Sequence, residues 1–154
     1  MKLKNIILTL IIMCSSMTMM ASDSIFEKIS DMDGVSTVHI SKSMLRMFNS
    51  KSTKSIGGIN IGTIAGKLNY IDIYSSESIT AIKKIRFLTK SIKTMPGYES
   101  LIKIKDDGSK VEVLLKTVGK ISTVITIVDD GKEYTIIVLN GGISLEDIQS
   151  LTNQ

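Results

Sequence analysis

The stretch that decides the fold runs from Tyr98 to Leu139 and reads YESLIKIKDDGSKVEVLLKTVGKISTVITIVDDGKEYTIIVL. Apolar and polar residues alternate along it, and a period of two is typical of strands that have one buried face. We predict four strands, at residues 101–105, 110–117, 121–128 and 133–139. The joins Asp107-Gly108 and Asp130-Gly131 favour type I′ hairpins, because both central positions of that turn need a positive φ. With Gly119-Lys120 as the third join, the segment predicts a four-stranded antiparallel meander.

A helix is predicted over residues 78–95, just before the meander. Its apolar residues recur three or four positions apart and therefore share one stripe. They are Ala81, Ile85, Leu88, Ile92 and Met95. Pro96-Gly97 ends the helix. Because the helix joins a predicted strand at 70–74 to the first strand of the meander, we expect a right-handed crossover and a parallel pair.

Shorter elements are predicted on either side of this region. They are a helix capped by Ser24 and ended by Asp33-Gly34, a strand over 35–40, a helix from the cap Ser41 to Phe48, a loop over 49–60, helical turns over 61–67, and a last helix capped by Ser144 with Leu145, Ile148 and Leu151 as its buried stripe. The order predicts an α+β fold with one mixed, mostly antiparallel sheet of about six strands. We expect helices over one face and a second face that is partly wet.

Residues 1–21 have the three-part layout of a secretory signal peptide. Lys2 and Lys4 precede an apolar run over 6–13, and a small, polar stretch ends at Ala21. The run is too short for a permanent membrane anchor. We predict cleavage between Ala21 and Ser22, a single domain over 22–154 and a soluble periplasmic product.

An alternative for the same segment is lipoprotein processing at Cys14, which would give a lipid-anchored envelope protein. Ile11 and Ile12 precede this cysteine, but Met13 stands where a small residue is preferred. Cleavage after Ala21 would instead leave a chain without any thiol, which suits an oxidising compartment. A third interpretation of the segment is a buried N-terminal helix.

Composition and motif spacing argue against several chemistries. The 154 residues include one Cys, one His and no Trp, so neither a disulfide framework nor a Cys/His zinc site can form. The glycines before Lys67 lack the spacing of a phosphate-binding loop, and Leu68 replaces its hydroxyl residue. Asp31-Met32-Asp33-Gly34 resembles only the start of a calcium loop, without the later ligands. We predict no metal and no cofactor.

Catalytic motifs are equally incomplete. His39 is the single imidazole, and alternation along its strand places it with Thr37 and Ser41 on one face. No serine lies in a G-x-S-x-G elbow, and Ser100-Leu-Ile-Lys103 lacks the partner motifs of an S-x-x-K enzyme. We predict no catalytic residue and no enzyme activity. A hydrolase that uses carboxylates or a Ser–His39 pair stays open as an alternative.

Charge is distributed unevenly along the chain. Residues 42–93 hold ten Lys or Arg and two acidic residues. On the long helix, Lys83, Arg86, Lys90 and Lys93 form a stripe beside the apolar one. This stripe predicts a face for an acidic partner protein or an anionic membrane surface, with a merely solvated face as the alternative. The export signal and the lack of an RNA-binding motif argue against nucleic acid.

Four stretches in order resemble the domain of unknown function family 4252. They are DMDGVSTVHISKSMLRMF from Asp31 to Phe48, IGTIAGKL from Ile61 to Leu68, KDDGSKV from Lys105 to Val111, and LEDIQ from Leu145 to Gln149. The resemblance covers residues 24–152 and implies a small exported protein of Bacteroidetes-type bacteria. Some members of the family look like lipoproteins. No activity, ligand or catalytic residue is established for that family, so the resemblance assigns none here.

These features together predict a non-catalytic envelope protein that binds another protein, in cell-envelope signalling or maintenance. The second hypothesis is a periplasmic carrier of a ligand or a binder of anionic membrane surfaces. Such a protein would use a groove between sheet and helices, or the basic stripe.

Overall fold

The computed structural model describes residues 20–47, 55–56, 59–60, 62 and 64–152. Most of the predicted signal peptide, including Cys14, lies outside the described residues, as do Phe48 and most of the predicted loop over 49–60. Ala21 and Ser22, between which cleavage is predicted, both belong to the first helix.

The described chain contains four α-helices, a 3₁₀ turn and eight strands. The helices are α1 (Met20–Ser30), α2 (Lys42–Met47), α3 (Ile79–Lys93) and α4 (Leu145–Thr152), and the 3₁₀ turn is Ala65–Lys67. The strands are β1 (Ser36–Ser41), β2 (Ser55–Ile56), β3 (Ile59–Asn60), β4 (Leu68–Ser76), β5 (Glu99–Asp106), β6 (Ser109–Val118), β7 (Ile121–Asp129) and β8 (Tyr134–Gly141). All four strands of the predicted meander are confirmed. Ser24 lies within α1, so the prediction that it caps this helix is wrong.

Six strands form one sheet in the order β1-β4-β8-β7-β6-β5, and β2 and β3 form a separate two-stranded ribbon. The α+β class and the C-terminal meander are confirmed. Every neighbouring pair in the large sheet is antiparallel, so the predicted parallel pair is absent from it. Instead, α3 carries the chain from β4 to β5 at the far edge, and β6, β7 and β8 lie between those two strands.

The two Asp-Gly joins differ in their turns. Asp107 and Gly108 have φ values of 39° and 88°, as a type I′ turn requires. At the second join only Gly131 has a positive φ, and a four-residue loop separates Asp129 from its register partner Tyr134, so the prediction of a type I′ turn is wrong there. The Asp130 carboxylate accepts hydrogen bonds from the backbone N–H groups of Lys132 and Glu133, which stabilises the wider loop.

Apolar layers cover both faces of the sheet. On one face, which we call the front, α1 and α3 pack over strand residues such as Ile125 and Ile136. On the back, α2, the 3₁₀ turn and α4 pack over residues such as Ile71 and Leu139. The prediction that helices cover only one face is therefore wrong, and the back is drier than the alternation suggested. The reason is that β8 is apolar at successive positions from Ile136 to Leu139 and therefore needs cover on both sides.

The predicted helix caps at Ser41 and Ser144 are confirmed, and α3 has a cap of the same kind. The Ser78 side chain accepts a hydrogen bond from the Ala81 N–H at 3.4 Å. The Ser144 hydroxyl accepts one from the Asp147 N–H, and Met44 donates its N–H to the Ser41 hydroxyl. Among the described residues, no helix has the length and apolar character needed to cross a membrane.

Candidate functional site

Two openings lie on the front of the sheet, at opposite ends of β7 and β8. The first, which we call the basic cleft, lies between α3 and the β5–β6 hairpin and encloses about 570 Å³. The second, which we call the tyrosine groove, lies between α1 and the sheet and encloses about 830 Å³. Ile127 and Asp129 of β7 line the cleft, whereas Thr123 of the same strand lines the groove.

Positive charge dominates the basic cleft. Six cationic side chains line it, namely Arg86, Lys90 and Lys93 from α3, Lys103 and Lys105 from β5, and Lys110 from β6. Two carboxylates, those of Glu112 and Asp129, face them. Lys105 and Lys110 are register partners across the Asp107-Gly108 hairpin.

Two cations of the predicted helical stripe hold α3 on the sheet. The Arg86 guanidinium donates two hydrogen bonds to the Asp129 carboxylate, at 2.7 and 2.6 Å. This pairing lowers the pKa of Asp129 and raises that of Arg86, despite an opposing desolvation effect on each group. Lys93 forms an ion pair with Glu112, which Lys103 approaches at 3.5 Å. Arg86 and Lys93 are therefore structural anchors as well as lining residues.

The other three cations of the cleft form no ion pair with the described residues. Within the part of the chain that the structure describes, no carboxylate lies within ion-pairing distance of Lys90, Lys105 or Lys110. Lys110 acts at longer range, where its charge helps to lower the pKa of Asp129. The cleft therefore presents positive charge that the described residues do not neutralise.

The fourth residue of the predicted stripe, Lys83, lies away from the cleft. It belongs to a surface region that we call the Phe87 patch, which is formed by Lys28, Met32, Lys83, Lys84, Phe87 and Leu88. The Phe87 side chain is 72% exposed. The predicted stripe is thus divided between two surfaces.

Aromatic side chains dominate the tyrosine groove. Phe26 and Tyr74 stack with ring centroids 5.5 Å apart. The Tyr70 ring lies 6.1 Å from His39, and the Lys116 ammonium lies 5.2 Å from the centroid of Tyr98. Asp23, Glu27 and Asp72 also line the groove.

His39 and Asp72 form the polar centre of the groove. They are register partners on β1 and β4, and the His39 Nδ1 lies 2.5 Å from Asp72 Oδ1. The Asp72 side chain is 19% exposed, whereas His39 is largely open to solvent. Thr37 lines the same groove, as alternation along β1 predicts. Beside this pair, Asn140 donates a hydrogen bond to Thr123 and accepts one from Asn69.

Burial and nearby carboxylates act in the same direction on the pKa values of two tyrosines of the groove. Burial raises the pKa of Tyr70, and the charges of Asp23 and Asp72 raise it further. The pKa of Tyr74 is raised by the same causes, burial first. A negative environment disfavours a phenolate, so both rings are neutral over the physiological range.

The remaining motifs contribute no assembled site in the described residues. Asp31 to Gly34 forms the turn after α1, where Gly34 has a φ of +81°. Among all the described residues, no three His, Cys, Asp or Glu side chains lie close enough together to hold a metal ion. Ser100 and Lys103 lie in β5, where Ser100 and the Lys103 ammonium both approach Glu112.

Sequence reasoning missed most of the residues that complete the two openings. Lys105 and Lys110 could have been found, because a two-residue hairpin at Asp107-Gly108 places them opposite one another. Asp72 could not have been found in this way. It lies 33 positions from His39, and no local sequence pattern indicates that the two residues pair.

A comparison with models of protein families matches residues 26–151 to the family described as Domain of unknown function (DUF4252). The matched range includes both openings except for Asp23. Neither a curated protein nor a solved structure gives a significant match.

Proposed function

The chain belongs to the family described as Domain of unknown function (DUF4252), and we propose that it is a non-catalytic interaction module of the cell envelope. In this proposal the basic cleft binds an acidic segment of a partner protein. One observation carries it, namely that Lys90, Lys105 and Lys110 line a cleft without carboxylate partners among the described residues. An acidic segment would supply those partners.

The position of the cleft also supports a protein partner. β5 is an edge strand of the sheet, so an extended segment can approach both its backbone and the lysines beside it. Edge lysines also discourage indiscriminate strand pairing, and this would restrict the edge to acidic partners. The ion pairs of Arg86 and Lys93 keep the walls of the cleft in place before a partner arrives.

A binding assay with an acidic peptide tests the cleft. Fluorescence anisotropy of a labelled glutamate-rich peptide should show binding that weakens as ionic strength rises from about 20 to about 200 mM, because salt screens exposed charges. Lys105→Glu with Lys110→Glu should weaken binding about tenfold or more. The control, Lys42→Glu with Lys120→Glu, makes the same change of charge at two exposed residues outside the cleft and should bind nearly as the parent does. Equal loss in both variants would reduce the effect to net charge and contradict a site.

The envelope location in this proposal is supported by the layout of residues 1–21. Fractionation of cells that express the full chain should recover a shortened protein in the periplasm. Intact chain in the cytosol would contradict export. Labelling with a palmitate analogue that disappears in Cys14→Ala would assign the lipid-anchored alternative instead of the soluble one.

A second candidate function, docking on an anionic membrane surface, is favoured by the Phe87 patch. Ile79 and Phe87 are both 72% exposed on α3, and the spacing of the helix places Lys83 between them. Lys28, Lys83 and Lys84 form no ion pair with the described residues. An aromatic ring among cations suits the headgroup region of anionic lipid.

Vesicle sedimentation separates this second candidate from the first. The protein should bind phosphatidylglycerol vesicles and should not bind phosphatidylcholine vesicles. Its binding to the phosphatidylglycerol vesicles should fall with added salt and with Phe87→Ser. Lys105→Glu with Lys110→Glu should change it much less than Phe87→Ser does. Absence of binding to phosphatidylglycerol vesicles at low salt would remove the membrane candidate and leave the cleft untouched.

A further inference from the structure

The tyrosine groove differs from the basic cleft in its balance of charge and in its number of aromatic rings. Its volume of about 830 Å³ would hold a small organic molecule. Three carboxylates line it, and Lys116 and His39 are the cationic or titratable nitrogen groups that face them. Because Asp72 and His39 pair with each other, the rim carboxylates Asp23 and Glu27 are left to set the field at the entrance.

Aromatic rings and negative charge in one cavity suit a cation. The face of an aromatic ring carries negative electrostatic potential, and an ammonium group over it is attracted more strongly as it loses water. One such contact already exists in the groove, where Lys116 lies over Tyr98. Burial, and after it the charges of Asp23 and Asp72, raise the pKa of Tyr70, so its ring stays neutral.

Anions and neutral ligands fit the groove less well. An anion would meet Asp23, Glu27 and Asp72 at close range. A neutral ligand could use the rings and the Asn140–Thr123 pair, but it would gain nothing from the carboxylates.

We infer that the tyrosine groove is a second binding site, for a small organic cation such as a primary amine or a quaternary ammonium compound. Tyr70 supplies ring surface to the cation, and Tyr98, which contacts Lys116, borders the site. Asp23 and Glu27 attract the cation, and the His39–Asp72 pair borders the site. The inference is independent of the proposed role of the basic cleft, because the two openings share no lining residue.

The chain carries a built-in probe for this site. It has four tyrosines and no tryptophan, and Tyr70, Tyr74 and Tyr98 all line the groove. The fourth, Tyr134, lines the cleft, so in Tyr134→Phe every remaining tyrosine reports on the groove. The tyrosine fluorescence of this full-length variant can then be followed during titrations.

The probes are choline, its neutral isostere 3,3-dimethylbutanol, and acetate. Choline should bind at least about fivefold more tightly than the isostere, because only the charged probe gains the cation–π and carboxylate interactions. Acetate should not bind. Equal affinity for choline and its isostere, or no response to choline, would overturn the inference.

Variants identify the parts of the site. Tyr70→Leu should weaken choline binding about tenfold, whereas Tyr70→Phe, which keeps the ring, should stay within about twofold of the parent. Asp23→Asn with Glu27→Gln changes exposed groups only and should weaken choline about threefold. Asp31→Asn with Glu77→Gln is the matched control and should have no effect. If the two double variants behaved alike, the carboxylates of the groove would have no special role and the inference would fail.

Discussion

The basic cleft and the tyrosine groove are built on the same two strands, yet they carry opposite charge. At one end of β7 and β8, Asp129 and Tyr134 lie among six cations. At the other end, Thr123 and Asn140 lie among tyrosines and three carboxylates. The two strands form the floor of both openings, and the elements that pack beside each end determine the charge of that opening.

The difference follows from which elements contribute to each opening. The cleft takes its charge from the last two turns of α3 and from the hairpin between β5 and β6, both of which are rich in lysine. The groove takes its charge from α1 and from Asp72 in the middle of β4. One sheet face therefore presents two separate openings of opposite charge.

The largest expected effect comes from the floor that the openings share. Ile125 is fully buried in β7, between Thr123 in the groove and Ile127 in the cleft. Ile125→Ala should lower the free energy of unfolding by about 3 kcal/mol, through lost burial and the cavity left behind. Urea denaturation followed by circular dichroism measures the loss.

The control for this change is Ile121→Ala at the exposed start of β7. It should lower the free energy of unfolding by less than about 1 kcal/mol. Equal losses in the two variants would show that the centre of β7 is not the common support of the cleft and the groove.

A smaller effect is expected at the cleft end alone. Asp129→Asn removes the negative charge and one of the two oxygens that accept hydrogen bonds from Arg86, and it should lower the free energy of unfolding by about 1 kcal/mol, a value reduced because Arg86 is partly exposed. Because the pKa of Asp129 is lowered in the folded state, its contribution is present above the unfolded-state pKa of about 4. The contribution is lost as the pH falls through the lower folded-state pKa.

Urea denaturation of parent and variant from about pH 7 down to about pH 2 tests this pH dependence. The difference in stability between them should be largest at neutral pH and shrink toward acid. Asp107→Asn, at an exposed turn without the arginine, serves as the control and should show almost no difference. A difference between parent and Asp129→Asn that stayed constant with pH would contradict the role given to the ion pair.

The smallest effect concerns how α3 is fixed to the floor of the cleft. The Thr89 and Tyr134 hydroxyls lie 2.8 Å apart in a buried hydrogen bond. A double-mutant cycle with Thr89→Val and Tyr134→Phe should give a coupling energy of about 0.5 kcal/mol. Additive losses would mean that this bond does not help to hold the helix.

The local patterns predicted the elements that form the two openings. Alternation over 98–139 predicted the strands that floor the cleft, and the apolar stripe predicted α3 with its lysines outward. The type I′ turn at Asp107-Gly108 is confirmed by two positive φ values, whereas Asp130-Gly131 forms a wider loop with the same dipeptide. The difference lies in Lys132 and Glu133, whose N–H groups bind the Asp130 side chain.

The contacts between distant elements could not be predicted in this way. No local signal pairs β4 with β8 instead of β5, and the groove depends on that pairing because Asp72 and Asn140 come from these two strands. The continuous apolar run in β8 does indicate burial on both faces. The short helices α2 and α4 are also predicted, yet no local signal places them over the back of the sheet. The stripe of Lys83, Arg86, Lys90 and Lys93 was visible, but its division into anchors, cleft and patch depends on where Asp129 and Glu112 lie.

The most direct test of two chemically opposite surfaces is a pair of titrations of one ¹⁵N-labelled sample, followed by backbone amide chemical shifts. A glutamate-rich peptide should shift the amides of Lys105, Lys110 and Gly131, while choline should shift those of Tyr70, Thr123 and Asn140. The two sets of shifted amides should not overlap. If both probes shifted the same amides, or if choline moved those of the cleft, the division of this sheet face into an anion-binding and a cation-binding end would be wrong.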